Sequence, residues 1–154
     1  MGAAARPACE IRCEGISRSE AAQSSPASMI AYFDTHALVR VALGRSRLIG
    51  REASRLIERA ELLISPMVLV ELEYLNEIGR LKLRSRDIQA KVEQELGVKL
   101  CELPFAAVAH AAVEEKWTRD VFDRIIVAHA RANGLAPLIS LDEKIAEHYP
   151  RTVW

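Results

Sequence analysis

The chain has 154 residues, of which 50% are hydrophobic and 27% are charged. Such a composition is typical of one soluble domain with a sizeable core, and no apolar run approaches the ~20 residues that a membrane helix needs. Basic and acidic residues both number 21, so the net charge of zero excludes a broadly basic nucleic-acid-binding surface, although not a local basic patch. The cysteines Cys9, Cys13 and Cys101 are too few for a disulfide scaffold and fit a reducing compartment, so we expect a cytoplasmic protein.

Residues 1–28 differ in kind from the rest of the chain. They are rich in alanine and serine and contain almost no large apolar side chains, so we expect a disordered extension or an upstream start. The segment lacks the apolar core of a secretory signal, and its glutamates argue against a transit peptide. Cys9 and Cys13 have no second pair at the spacing of a metal site. We therefore assign the domain to residues 29–154, with Met29 as the functional start.

The first part of this domain predicts a strand and two helices. Met29–Phe33 is a short apolar run that predicts a buried strand, and it ends in an acid, Asp34. A short helix is predicted at Thr35–Ala42, and a longer one at Arg45–Glu61, with several arginines on one face. An acid at the carboxyl end of a first strand lies where α/β folds place their ligands.

The middle part begins with a second predicted strand, Leu62–Ser65. A helix follows at Pro66–Gly79, because serine is a good N-cap and proline suits the first helical position. The next helix is predicted at Ser85–Glu95, with Ser85 as its cap and Gly97 as its end.

The last part predicts three further strands. These lie at Val98–Leu103, Leu135–Ser140 and Thr152–Trp154. Helices are predicted at Pro104–Trp117, Thr118–Asn133 and Glu143–His148. Strands that alternate with helices, joined by connections too long for hairpins, predict a parallel sheet with helices on both faces.

Five acids are predicted to meet at one edge of this sheet. Asp34 ends the first strand, and Asp142 follows the fourth. Glu71 lies in the second turn of the helix after the second strand, while Asp120 and Asp123 open the helix that precedes the fourth strand. Because right-handed crossovers make all the strands run the same way, these positions share the carboxyl edge.

Clustered carboxylates repel one another, and each raises the pKa of the others. A hard divalent cation such as Mg²⁺ or Mn²⁺ relieves that repulsion, and it assists the attack of water on a phosphodiester. Each acid also has a plainer interpretation. Asp34, Asp120 and Asp142 could be helix caps or solvated turn residues, whereas Glu71 has mostly apolar neighbours and needs a partner or a metal.

Five stretches, in register over residues 29–154, resemble the PIN domain, in particular the VapC-type toxins of bacterial toxin–antitoxin pairs. They read MIAYFDTHAL, LISPMVLVELEYL, RDVFDRIIVAHA, LISLDEKI and a terminal TVW. The resemblance implies a three-layer α/β/α sandwich around a parallel sheet of order 3-2-1-4-5. It also implies a ribonuclease that depends on Mg²⁺ or Mn²⁺.

The resemblance also implies roles for individual residues. The catalytic and metal-binding acids that it implies are Asp34, Glu71, Asp123 and Asp142. Ser140 and Thr35 match small hydroxyl positions that support the site, and Asp120 matches an accessory acid of one subgroup. The chain departs from that subgroup at Val121, where proline is common, which should loosen the helix start slightly.

The same resemblance implies partners. VapC-type toxins are typically homodimers, and a small antitoxin inhibits them by laying its tail over the acidic site. RNA would need basic side chains to offset the acids, and the sequence predicts contacts from Arg80, Lys82, Arg84 and Arg124.

Other classes of function stay open. One is a PIN domain that mainly binds RNA or an antitoxin, with weak or no cleavage, although the clustered acids disfavour a pure binder. Another is an aspartyl-phosphate enzyme, but the haloacid type needs a second aspartate where this chain has His36. A receiver domain needs a paired acid and a late lysine that are not clear here. A dinucleotide-binding fold is disfavoured because no glycine-rich loop follows the first strand.

Overall fold

The computed structural model describes residues 29–44 and 49–154, and it shows one five-stranded sheet in the order β3-β2-β1-β4-β5. The strands are β1 (Ile30–Phe33), β2 (Glu61–Ile64), β3 (Lys99–Leu100), β4 (Leu138–Ile139) and β5 (Thr152–Val153). All four pairings between neighbouring strands are parallel. The predicted parallel sheet and its order are therefore confirmed.

Helices cover both faces of the sheet. They are α1 (Thr35–Ala42), α2 (Arg51–Arg59), α3 (Pro66–Glu77), α4 (Ser85–Leu96), α5 (Phe105–Ala112), α6 (Val121–Ala132) and α7 (Glu143–His148). The chain moves outwards from β1 to β3 and then returns to β4 and β5, so right-handed crossovers place the later helices on the opposite face. Within the described ranges no helix has both the length and the apolar character to cross a membrane.

The central strand β1 shows why the three layers form. Ala31, Tyr32 and Phe33 are consecutive and fully buried, so both faces of the strand are covered. Phe33 pairs with Ile64 of β2 and with Ile139 of β4. This register sets the next residues of the three strands side by side at the carboxyl edge.

Strands β3 and β4 are shorter than predicted, and so is the helix predicted at 104–117. The predicted strand at 135–140 pairs only over Leu138–Ile139, because Gly134 and Leu135 have positive φ values (70° and 56°) and Pro137 has no N–H to donate. The predicted helix at 104–117 ends at Ala112. The chain beyond it turns inward at Glu115, a buried residue that forms an ion pair with α6. The predicted helix at 45–61 is helical at Arg51–Arg59, and residues 45–48 lie outside the described ranges, as do residues 1–28.

Two serines were predicted as helix caps, and only one of them is a cap. Ser65 caps α3, since its Oγ accepts the N–H of Met67 at 3.0 Å. The prediction for Ser85 was wrong, because Ser85 is the first residue of α4 and Arg84 holds the cap position. The N–H and hydroxyl of Ser85 both donate to Glu73, at 3.1 and 2.8 Å.

We expect Ser65→Ala to lower the free energy of unfolding by about 2 kcal/mol, because α3 loses its cap and a buried hydroxyl contact is removed. That contact joins Ser65 Oγ to His129 Nδ1 at 3.0 Å. Ser85→Ala is the matched control, with an expected loss of about 0.5 kcal/mol at a partly exposed contact. Urea unfolding of the two variants measures both values, and equal losses would contradict the assignment of the cap.

Candidate active site

Asp34 lies at the centre of the candidate site, between the end of β1 and the start of α1. Its side chain is 2% exposed. Oδ1 accepts the N–H of Thr35 at 2.7 Å, so Asp34 is indeed the N-cap of α1. Oδ2 accepts the hydroxyl of Ser140, which follows β4, at 3.1 Å. Asp34 is thus fixed by two segments that are far apart in the chain.

Two small hydroxyl residues connect Asp34 to the next acids. The hydroxyl of Thr35 donates to Glu71 Oε2 at 2.5 Å, and both residues are buried. Ser140 Oγ accepts the N–H of Asp142 at 3.1 Å while donating to Asp34. One connected set of hydrogen bonds therefore holds the side chains of Asp34 and Glu71 and the backbone of Asp142.

The acids that follow β4 and open α6 take two different roles. Asp142 caps α7, since its Oδ1 accepts the N–H groups of Lys144 and Ile145 at 2.8 and 3.1 Å. Asp120 is exposed and caps α6. Asp123 is half-buried in the first turn of α6, and its carboxylate accepts no hydrogen bond from any residue in the described ranges. No hydrogen bond within the described ranges therefore stabilises the charged form of this carboxyl group.

Burial and mutual repulsion raise the pKa values of three of these acids. Burial raises the pKa of Asp34 and of Glu71 above the usual range, while the hydroxyls of Ser140 and Thr35 oppose that rise. The pKa of Asp123 is raised to about 7, first by burial and then by the negative charges of the other four acids, Asp120, Asp34, Asp142 and Glu71. The structure thus brings all five predicted acids within electrostatic reach of one another, and their chemical roles stay predictions.

The donor chemistry of this cluster fits a hard divalent cation. Every side chain in it offers oxygen, and the repulsion that adds to the effect of burial on the pKa values would be relieved by added positive charge. No three His, Cys, Asp or Glu side chains within residues 29–44 and 49–154 form a ready-made metal cage. Mg²⁺ does not need one, because it usually keeps several waters and uses one or two carboxylates.

An open cavity of about 700 Å³ lies beside the acids. Four acids line it together with two cations: Asp120, Asp123, Asp142, Glu143, Arg119 and Lys144. No role for these two cations was predicted from the sequence. The available signal was their position in the chain, directly before Asp120 and two residues after Asp142.

The four basic residues predicted to contact RNA do not line this cavity. Arg84 forms an ion pair with Glu73 at 2.9 Å. Arg124 donates from Nη2 to the carbonyl of Thr118, and its buried Nε has no partner in the described part of the chain. Arg80 and Lys82 are exposed elsewhere. RNA contact by these residues stays a prediction.

We expect Ser140→Ala to weaken Mn²⁺ binding by about tenfold and to lower stability by about 1 kcal/mol, because Asp34 loses a donor and the N–H of Asp142 loses its acceptor. Ser140→Thr keeps the hydroxyl and should retain most of the affinity. Calorimetric titration with Mn²⁺ measures the first effect. Unchanged affinity in Ser140→Ala would show that the hydroxyl does not position the acids.

Comparison with known proteins places this chain in a family. The sequence model of the PIN domain matches residues 31–149, a range that contains every predicted acid. The structure of VapBC2 from Rickettsia felis bound to a DNA fragment from their promoter has a similar fold, with 19% identity, a TM-score of 0.57 and coverage of 81% of this chain and 96% of that chain. A toxin–antitoxin complex from Klebsiella pneumoniae gives 20% identity, a TM-score of 0.54, and coverage of 80% and 96%. A search of curated protein sequences found no match. The chain belongs to the PIN domain family.

Proposed function

We propose that this protein is a metal-dependent endoribonuclease and the toxin of a VapC-type toxin–antitoxin pair. The observation that carries the proposal is a set of five acids within electrostatic reach of one another, two of which are buried and tied to neighbouring hydroxyls: Asp34 to Ser140 at 3.1 Å and Glu71 to Thr35 at 2.5 Å. Burial and the charges of the other four acids also raise the pKa of Asp123 to about 7, so that a proton offsets part of the negative charge in the metal-free protein. A divalent cation would replace that proton, relieve the repulsion and also bind a phosphodiester.

In the proposed mechanism, Asp34, Glu71, Asp123 and Asp142 hold Mg²⁺ or Mn²⁺. When bound, the cation supplies a water of lowered pKa and neutralises charge that develops on phosphorus. The Thr35 hydroxyl donates to the Glu71 carboxylate, and the Ser140 hydroxyl donates to the Asp34 carboxylate. The two buried acids are therefore oriented before the cation and the RNA bind. Asp120 is the accessory acid, and its charge adds to the negative potential at Asp123 that attracts a cation.

The proposed partners are a small antitoxin and a second copy of the chain in the cytoplasm. Of the two solved structures of similar fold, one is described as VapBC2 bound to a DNA fragment from their promoter and the other as a toxin–antitoxin complex. In this chain Val70 and Tyr74 on α3 and Ile78 at its C-cap follow one another at intervals of four residues and are 56%, 47% and 46% exposed. An apolar stripe of this kind supports a protein partner, because contiguous apolar patches on a protein surface often mark contacts with other proteins.

The experiment that tests the proposal is cleavage of a mixed RNA pool by the purified protein. Mg²⁺, Mn²⁺ and EDTA are compared in parallel. We expect cleavage with either cation and none with EDTA. Undiminished cleavage in EDTA would contradict the role of the metal. Absence of cleavage together with tight RNA binding would favour the alternative, a PIN domain that mainly binds RNA or an antitoxin.

A further inference from the structure

We infer that Arg119 and Lys144 are the phosphate-binding residues of this site, and that they hold the RNA backbone in the cavity beside the acids. The inference rests on the proposed ribonuclease function, and it names the contacts that this function requires. Four acids, Asp120, Asp123, Asp142 and Glu143, line the same cavity and would repel a polyanion. Cations in the same cavity offset that repulsion where the substrate has to lie.

Arg119 is held at the cavity by the backbone around it. The N–H of Asp120 donates to Thr118 Oγ1 at 3.1 Å, and the carbonyl of Thr118 accepts from the guanidinium of Arg124. Arg124 therefore fixes the loop that carries Arg119, and this contact gives it a positioning role that does not require touching RNA. The side chain of Arg119 itself is exposed.

Lys144 is held by the segment that follows β4. Its N–H donates to Asp142 Oδ1 at 2.8 Å, so its backbone position is tied to the acid that caps α7. Its side chain is exposed and lines the cavity. Both cations are thus anchored on the segments that carry acids of the site.

No acidic side chain among the described residues forms an ion pair with either of these two cations, Arg119 and Lys144. Other surface cations, such as Arg84 and Lys99, form ion pairs with glutamates at 2.9 and 3.2 Å. An exposed cation without a protein partner, facing an acid-lined cavity, is available to a phosphate group.

The test compares two double variants, each of which removes two positive charges. Arg119→Gln with Lys144→Gln changes the proposed site. Lys99→Gln with Arg151→Gln is the control. Lys99 starts β3 and Arg151 precedes β5, so both lie at the amino ends of the strands, away from the acids at the carboxyl ends. Binding of a labelled single-stranded RNA is measured by fluorescence anisotropy as a function of salt, in an Asp34→Asn background. The KM and kcat of cleavage are measured without that background substitution.

We expect the site variant to bind RNA about tenfold more weakly and to flatten the slope of log affinity against log salt by about 1.4, since each phosphate contact on a single strand contributes about 0.7. Its KM should rise about tenfold with kcat within about threefold. The control should keep the slope. If Arg119 and Lys144 only balanced the charge of the acids, the site variant would have the same slope of log affinity against log salt as the unmodified protein.

Equal slopes and KM values in the two double variants would overturn the inference while leaving the ribonuclease proposal intact. A wild-type protein that never cuts RNA, but whose RNA affinity falls only in the site variant, would support the inference and refute the proposed cleavage. A protein that neither cuts nor binds RNA would overturn both.

Discussion

Asp34→Asn should reduce RNA cleavage by about 10³-fold or more while the protein stays folded. The substitution removes the charge of the most buried acid of the site, which is 2% exposed. Asparagine keeps an oxygen that can accept the N–H of Thr35, so the cap of α1 is retained. Because burial raises the pKa of Asp34, loss of its charge costs no stability near neutral pH.

Asp87→Asn is the matched control for this experiment, because Asp87 is an exposed aspartate in the first turn of α4, away from the acids. Cleavage rates and thermal unfolding are measured for both variants beside the unmodified protein. The control should keep full activity. Full activity in Asp34→Asn would refute the assignment of the site, and an unfolded Asp34→Asn variant would show that the charge serves the fold.

The metal-free protein should lose stability as pH rises from about 4 to about 7, by about 1 to 2 kcal/mol after allowance for solvent screening of the half-buried Asp123 carboxyl. The pKa of Asp123 is raised from 3.8 to about 7 in the folded state. Between these values the folded protein keeps a proton that the unfolded chain has lost, so the free energy of unfolding falls as pH rises. The raised pKa values of Asp34 and Glu71 act in the same direction.

Asp123→Asn should flatten this pH dependence and make the metal-free protein more stable than the unmodified one at pH of about 8. Mn²⁺ should reverse the order, because it stabilises the unmodified protein by binding only its folded state. Urea unfolding at several pH values, with and without Mn²⁺, measures these effects. A metal-free protein whose stability rises between pH of about 4 and about 7, or an unchanged profile in Asp123→Asn, would contradict the raised pKa.

The sequence predicted the centre of the site because local signals and long-range pairing agree there. Met29–Phe33 is apolar and short, so it reads as a buried strand, and the acid after it has to lie at the sheet edge. The register then follows from burial, since Phe33 pairs with Ile64 and Ile139. Asp34 and Ser140 are brought together by this pairing, so the order of strands was enough to place them on one edge.

Other features depend on contacts that no local pattern reveals. Glu115 lies in a stretch that resembles a solvated helix end, yet it is 3% exposed and pairs with Arg131, which is 16 residues away on α6. That ion pair explains why the predicted helix at 104–117 was too long. Arg119 and Lys144 were missed for a similar reason, because the shape of two loops decides which cations line a cavity.

The most direct test of the metal site is calorimetric titration of the purified protein with Mn²⁺ at pH of about 8, where the raised pKa of Asp123 no longer leaves it protonated. We predict saturable binding to the unmodified protein and to Asp87→Asn, and an affinity at least about tenfold lower for Asp34→Asn. Absence of saturable binding, or equal affinity in Asp34→Asn, would contradict the proposal that these carboxylates hold a divalent cation.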